Sequence, residues 1–262
     1  MKLYLINLTR STDRLRRMEA RFAALGLSFE RIEAVDGRAL GPSDRTGALP
    51  VLALSCNLSH EIVFRRFLET GDDFAAVFED DVLLAPAAAD LLTRSDWVPP
   101  GADIVKIETY GRTTILSASG IELTGDTRLV RLLGKHSGSA GYIIGRSAAR
   151  RLLGERQALA DYPIDHLLFD PRRRPVPGLT VWQVVPALCA QDMIINPSAI
   201  GESTLRGAEA MEGLRPRRHF KKAIKRSVKA LRRAAPLEAL RAALSRLVGR
   251  RRIVVGFRPI NR

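Results

Sequence analysis

The sequence predicts an α/β domain built on a mostly parallel central sheet, followed by a basic helical tail. Three observations lead there. A strand, a helix and a second strand follow one another within about 35 residues at the start, a βαβ unit that favours parallel pairing. Strand-like and helix-like patterns then alternate to residue 210. Charge is also segregated. Of the 42 Lys and Arg among 262 residues, 15 fall in residues 215–252 against a single acid, Glu238, while the rest of the chain holds 27 of each sign and is neutral. The expected boundaries are therefore a domain over 1–210 and a tail over 211–262.

The first strand is KLYLINL (2–8), a short apolar run bounded by polar residues. Leu15, Met18, Phe22 and Leu25 recur at helical spacing, and Gly26 closes that helix. A second strand is expected over 29–35, ending at the Asp36-Gly37 turn, and residues 38–54 read as a loop. The next helix is expected from Asn57 as N-cap to Leu68, with Gly71 just beyond. FAAVF (74–78) reads as a central strand that runs straight into Glu79, Asp80 and Asp81. Further strands are expected at 103–107, 140–144 and 181–185, with a loop or hairpin over 109–127 and a short helix over 147–153.

The chain is long enough, and with 46% hydrophobic residues apolar enough, to bury a core without a covalent staple. Two cysteines, Cys56 and Cys189, rule out a disulfide framework and a four-cysteine zinc site. Residues 3–6 are too short for the apolar core of a signal peptide, and no run nears the ~20 residues of a membrane span. A cytoplasmic protein is the expectation.

In the tail, Phe220, Ile224, Val228, Leu231 and Ala235 form one helical stripe among lysines and arginines. Pro236 then opens a second helix with Leu237, Leu240, Leu244 and Leu247 on one face. Such helices suit an anionic membrane surface. The same stripe would also serve to dock on the domain. Nucleic acid is the less favoured partner, because Phe220 is the tail helices' sole aromatic for stacking on bases.

The most informative segment is FAAVFEDDVLL (74–84). Three consecutive carboxylates after a buried strand repel one another unless solvated or neutralised by a cation. Ligands of open α/β sheets bind beyond the carboxyl ends of strands, which is where these acids fall. Oxygen ligands of this kind suit Mg²⁺ or Mn²⁺. An exposed acidic turn is the alternative.

Seven blocks in order carry a resemblance. They are LINLTRSTDR (5–14), EAVDG (33–37), CNLSH (56–60), VFEDDV (77–82), GSAGYIIGRSAARRLL (138–153), Pro163-Ile164-Asp165, and Gln191 with PSAIG (197–201). Together they resemble glycosyltransferase family 25, the lipooligosaccharide galactosyltransferases. The chain departs from that family at Ser55, where a glycine is usual, and at Ser198-Ala199, where a paired serine is usual.

The resemblance implies a GT-A-like nucleotide-sugar-binding domain. It also implies inverting transfer of galactose from UDP-galactose to a hydroxyl of a lipooligosaccharide or other glycan acceptor, with Mn²⁺ or Mg²⁺ as cofactor. On that footing Asp81, with Asp80, is the expected metal ligand. Asn7, Thr9, Arg14, Glu79 and Asp80 are the expected donor contacts. An inverting transfer also needs a base: Asp165 in YPIDH is the first candidate and Asp192 the second, although Asp165 would equally serve as a helix cap. Arg14 would meet a phosphate or the uracil, or lie on the exposed side of its helix. Ser59 and His60 are either functional or ties between helix and sheet, and His136 is a further candidate ligand. With the tail on an anionic membrane, the enzyme would sit on the inner face and extend a lipid-linked glycan. The competing readings are a nucleic-acid-binding protein and a scaffold without transferase activity.

Overall fold

The computed structural model describes residues 1–41, 47–172, 176–195 and 249–258. The first half is β1 (Lys2–Asn7), α1 (Thr12–Ala23), β2 (Glu30–Glu33), α2 (Val51–Leu68), β3 (Phe74–Glu79), β4 (Val82–Leu84), α3 (Ala88–Leu91), β5 (Ile104–Lys106) and β6 (Glu108–Thr109). Then come β7 (Thr113–Glu122), β8 (Arg128–Leu132), β9 (Gly141–Gly145), α4 (Arg146–Gly154), α5 (Arg156–Asp161) and α6 (Ile164–Phe169). The described chain closes with β10 (Val181–Val185), β11 (Cys189–Gln191), α7 (Asp192–Ile195) and β12 (Arg250–Val254). No helix among the described residues is long and apolar enough to cross a membrane.

A nine-stranded sheet runs in the order β12-β7-β8-β10-β5-β9-β3-β1-β2, and β4-β11-β6 form a small second sheet beside it. The pleat of the large sheet sends alternate residues into two cores. Tyr4, Ile6, Ala75 and Val77 face Val63, Phe64 and Phe67 of α2 and the helices α4 to α6. Leu3, Leu5, Ala76 and Phe78 face Met18 and Phe22 of α1 and Leu91 of α3. Gly26 ends α1 as expected: it takes φ +66°, and the Leu27 N–H turns back to the Phe22 carbonyl at 2.9 Å.

The sheet is mixed, not mostly parallel. β1 pairs in parallel with β2 and β3, and β5 with β10, whereas β9 lies antiparallel between β3 and β5, and the β10-β8-β7-β12 edge is antiparallel throughout. Parallel pairing needs a crossover that carries the chain back to its starting end. Helices α1 and α2 supply it for the first three strands. From β5 the chain instead passes through the β7–β8 hairpin, so β9 starts where β5 finishes and runs back.

Two further expectations are corrected. Helix α2 begins at Val51, because Pro50 with φ −57° sets its entry, so part of the expected 38–54 loop is helical. Asn57 is therefore mid-helix, and its buried amide has other work. Its Nδ2 donates to the carbonyls of Leu159 at 2.6 Å and Tyr162 at 2.8 Å, and its Oδ1 accepts the Ile164 N–H at 2.8 Å. It ties α5 and α6 to α2. Asn57→Ala is expected to cost about 2–4 kcal/mol, since it strands buried backbone groups, and urea denaturation measures it.

The tail is the second correction. Its described part, 249–258, is not helical: the β-branched run Ile253-Val254-Val255 favours a strand, and β12 pairs with β7 at the edge of the sheet. The chain then continues inward, where the Thr109 hydroxyl donates to the Val255 carbonyl at 2.7 Å and the Ala187 N–H to the Gly256 carbonyl at 2.8 Å. The two helices expected over 220–235 and from Pro236 lie outside the described residues.

Candidate active site

The carboxyl ends of β1, β3 and β5 and the start of β9 meet at one end of the large sheet. Pairing sets Ile6 opposite Glu79, Phe78 opposite Gly141 and Lys106 opposite Tyr142. The loop 138–140 entering β9 thus lies beside the acids leaving β3.

Asp80 and Asp81 turn out of β3 toward β1 and α1. Asn7, buried at the last position of β1, donates to Asp80 Oδ2 at 2.7 Å and to the Ser11 carbonyl at 3.1 Å, and accepts from Arg31 Nε at 3.1 Å. Arg14 reaches Asp80 Oδ1 at 2.9 Å and Asp81 Oδ2 at 3.0 Å. Asn7 and Arg14 thus brace the acids. Thr9 lies further out, donating to Glu33 Oε1 at 2.6 Å.

The electrostatics show a shortage of positive charge. Burial, then repulsion from Glu79, pushes Asp81 up to about 7 despite Arg14. Asp80 is also raised, by burial first, with Glu79 adding to it. One Asp81 oxygen, Oδ1, is buried without a hydrogen-bond partner. Burial alone would raise Glu79 as well, but His60, the Ser139 hydroxyl and Arg14 outweigh it and hold it low.

Behind the acids lies a buried ion pair that sequence reasoning missed. Lys106 Nζ is 3.0 Å from Glu108 Oε2, and both side chains are wholly buried. Lys106 also donates to the Gly138 carbonyl and sits 4.1 Å from the Phe169 ring centroid. Even so, burial raises Glu108 to about 7. The signal was present: Lys106 and Glu108 alternate in VKIE, so on a strand they share one face.

The loop 138–140 links three of the acids in this region. The Gly138 N–H donates to Asp165 Oδ2 at 3.2 Å, the Ser139 hydroxyl to Glu79 Oε1 at 2.8 Å, and the Ala140 N–H to Glu108 Oε2 at 3.0 Å. Gly138 is required there: φ is +88°, and a Cβ would stand 2.6 Å from the Glu108 carboxylate.

Asp165 lies in the first turn of α6, two residues past the cap position, which Pro163 fills. Its bond from Gly138 places it beside the loop that also holds Glu79 and Glu108. Asp192 has its side chain taken up in a two-oxygen pair with Arg21, at 2.8 and 3.0 Å. Its backbone N–H meets the Asp81 carbonyl at 2.7 Å. Ser59 is a tie, accepting the Val35 N–H at 2.9 Å and donating to the Ser55 carbonyl at 2.7 Å. His136 is buried against Gln183 at 2.8 Å, and burial lowers it to about 3, which leaves it neutral.

The acids fit a hard divalent cation. A buried carboxylate oxygen lacks a partner, the neighbouring acids repel one another, and the donors are the oxygens that Mg²⁺ and Mn²⁺ take.

Fold and site define a class, an α/β protein that gathers carboxylates at the carboxyl ends of its strands, the place where such folds bind their ligands. The chain belongs to glycosyltransferase family 25 (LPS biosynthesis protein), whose family model matches residues 1–168. Its relatives include the lacto-N-neotetraose biosynthesis glycosyltransferases LgtB of Neisseria gonorrhoeae, 32% identical over 74% of this chain and 75% of the relative, and LgtE of the same organism, 30% identical over 84% and 86%. The lipooligosaccharide biosynthesis protein lic2B of Haemophilus influenzae is 24% identical over 75% of this chain and 78% of its own. A solved glycosyltransferase involved in glycosylation of the major capsid of PBCV-1 aligns over 81% of this chain and 98% of that one, with 12% identity and a TM-score of 0.42.

Proposed function

We propose that this glycosyltransferase moves galactose from UDP-galactose, with inversion, to a hydroxyl of a lipooligosaccharide or another lipid-linked glycan. The observation that carries the reading is Asp81, a buried carboxylate with an unbonded oxygen among further acids at the strand ends. Galactose as the sugar is supported by the family resemblance, and a glycan acceptor by the relatives' names. The basic segment supports work at the anionic inner face of the membrane. No comparison supports a nucleic-acid-binding or scaffold role.

Asp81 and Asp80 would hold Mn²⁺ or Mg²⁺, and such a cation supplies Lewis-acid stabilisation of the departing diphosphate. Asn7 fixes the Asp80 carboxylate. Arg14, 35% exposed at the mouth of the site, can turn from the acids to the donor's phosphates. Thr9 and Glu79 border the donor. Asp165 takes the proton from the acceptor hydroxyl as the acceptor oxygen bonds the anomeric carbon and the bond to the diphosphate breaks, releasing UDP. Among the described residues Asp165 accepts one hydrogen bond, from Gly138. Asp192, with both oxygens on Arg21, is the second candidate.

Transfer of labelled sugar to lipooligosaccharide, measured with UDP-galactose and UDP-glucose in Mn²⁺, tests this. UDP-galactose is the expected donor, and Asp165→Asn is expected to lose roughly 10²–10⁴-fold in rate with donor affinity unchanged. Use of glucose alone would overturn the sugar, and an undiminished Asp165→Asn enzyme would overturn the base.

A further inference from the structure

Cys56 and His60 stand one helical turn apart on α2 and face Glu79 at the end of β3. Cys56 Sγ, a His60 ring nitrogen and a Glu79 carboxylate oxygen all lie within 4.8 Å of one another. His60 Nε2 is 3.6 Å from Glu79 Oε1, close to the roughly 3.5 Å separating two ligands on a tetrahedral zinc ion. The His60 ring is 1% exposed, and its Nε2 has no hydrogen-bond partner. Its other nitrogen, Nδ1, is held by the Tyr142 hydroxyl at 2.7 Å, as a metal-bound imidazole is held by an outer partner. The Ser139 hydroxyl orients Glu79 in the same way, at 2.8 Å.

We propose that Cys56, His60 and Glu79 form a binding site for Zn²⁺, separate in ligands and in metal preference from the oxygen-only acids Asp80 and Asp81. Sulfur and imidazole donors select zinc over magnesium or manganese. Three protein ligands leave a fourth position for water or an incoming group. Burial first, and then the charges of Glu79, Asp165 and Asp81, raise the Cys56 thiol; those charges also attract a dication, and binding releases the thiol proton. The site does not depend on which sugar is transferred. Because Glu79 borders the donor, an occupied site would change how the donor is held.

Cobalt(II) serves as the spectroscopic probe, titrated into the full chain in the absence of nucleotide sugar. One equivalent is expected to give a near-ultraviolet thiolate-to-cobalt band with visible bands of a tetrahedral ion. Zn²⁺ is expected to abolish both, and a large excess of Mg²⁺ to leave them. Cys56→Ser is expected to lose the near-ultraviolet band, and Tyr142→Phe to weaken binding about 10–100-fold. Asp81→Asn and Cys189→Ser are expected to keep the band, with circular dichroism confirming that each variant is folded. Absence of a thiolate band, its survival in Cys56→Ser, or its loss in Asp81→Asn would each overturn the proposal. The last result would mean that the ion bound through the thiolate also depends on Asp81, so that the two sites are not separate.

Discussion

Asp81→Asn is expected to lower transfer by roughly 10³-fold, the scale for removing one electrostatic contact at a reacting centre. The protein should stay folded and, above pH 7 without added metal, become more stable than the parent. Burial and the Glu79 charge raise Asp81 from 3.8 to about 7 in the folded protein. Between those values the folded state binds more protons than the unfolded one, so this group's contribution to stability falls as pH rises through the window. The full penalty is present above pH 7. Asparagine cannot ionise and escapes it. Urea denaturation at pH 5 and pH 8 should show the variant losing less stability than the parent, by on the order of 1–3 kcal/mol. Glu108, also raised to about 7, contributes to the slope in both proteins. Equal slopes would mean that Asp81 is not the strained group, and an active variant would remove it from the metal site.

The second large effect is expected at Lys106. It is the buried cation nearest Glu108, and it also holds the Gly138 carbonyl. Lys106→Met leaves the Glu108 carboxylate buried beside Glu79 without its partner. Breaking one side of such a pair costs about 3–5 kcal/mol. The loss should be smaller at pH 5, where Glu108 takes up a proton. Lys106→Met with Glu108→Gln should recover most of the stability at neutral pH, because no buried charge is then left alone. Additive losses in the double variant would contradict the pairing. Transfer should fall in the single variant as well, since loop 138–140 positions both Asp165 and Glu79.

The residues reveal some of this organisation more readily than the rest. β1, α1 and β3 were legible because period 2 and period 3.6 are clean in KLYLIN, in Leu15-Met18-Phe22-Leu25 and in FAAVF. The start of α2 was not: Asn57 is a good cap residue, and nothing local reveals that its amide is taken by α5 and α6. Strand direction was out of reach for a related reason. Parallel pairing depends on where the connecting chain travels, and the antiparallel β9 follows a hairpin with the same residue pattern as any buried strand. The same holds for β12, which lies far along a segment dominated by charge.

In the site, the Glu79-Asp80-Asp81 cluster stood out as consecutive charges after an apolar run. Lys106 and Glu108 did not, because a single lysine and glutamate in a strand usually face solvent. Their burial is a property of the β5–β9 pairing and the loop above it. The sequence marks Asn7 and Arg14 as donor contacts, and the structure adds that they hold Asp80 and Asp81 in place.

The most direct measurement is a thermal-shift titration of the full chain with UDP-galactose, with and without Mn²⁺, on the parent and on Asp81→Asn. At 100 times its dissociation constant a ligand stabilises by about 2.7 kcal/mol, which is readily seen as a raised Tm. The expected result is a shift with UDP-galactose that requires Mn²⁺ and is lost in Asp81→Asn. A full shift without Mn²⁺, or an equal one in Asp81→Asn, would contradict the central claim that these acids hold the cation that binds the donor.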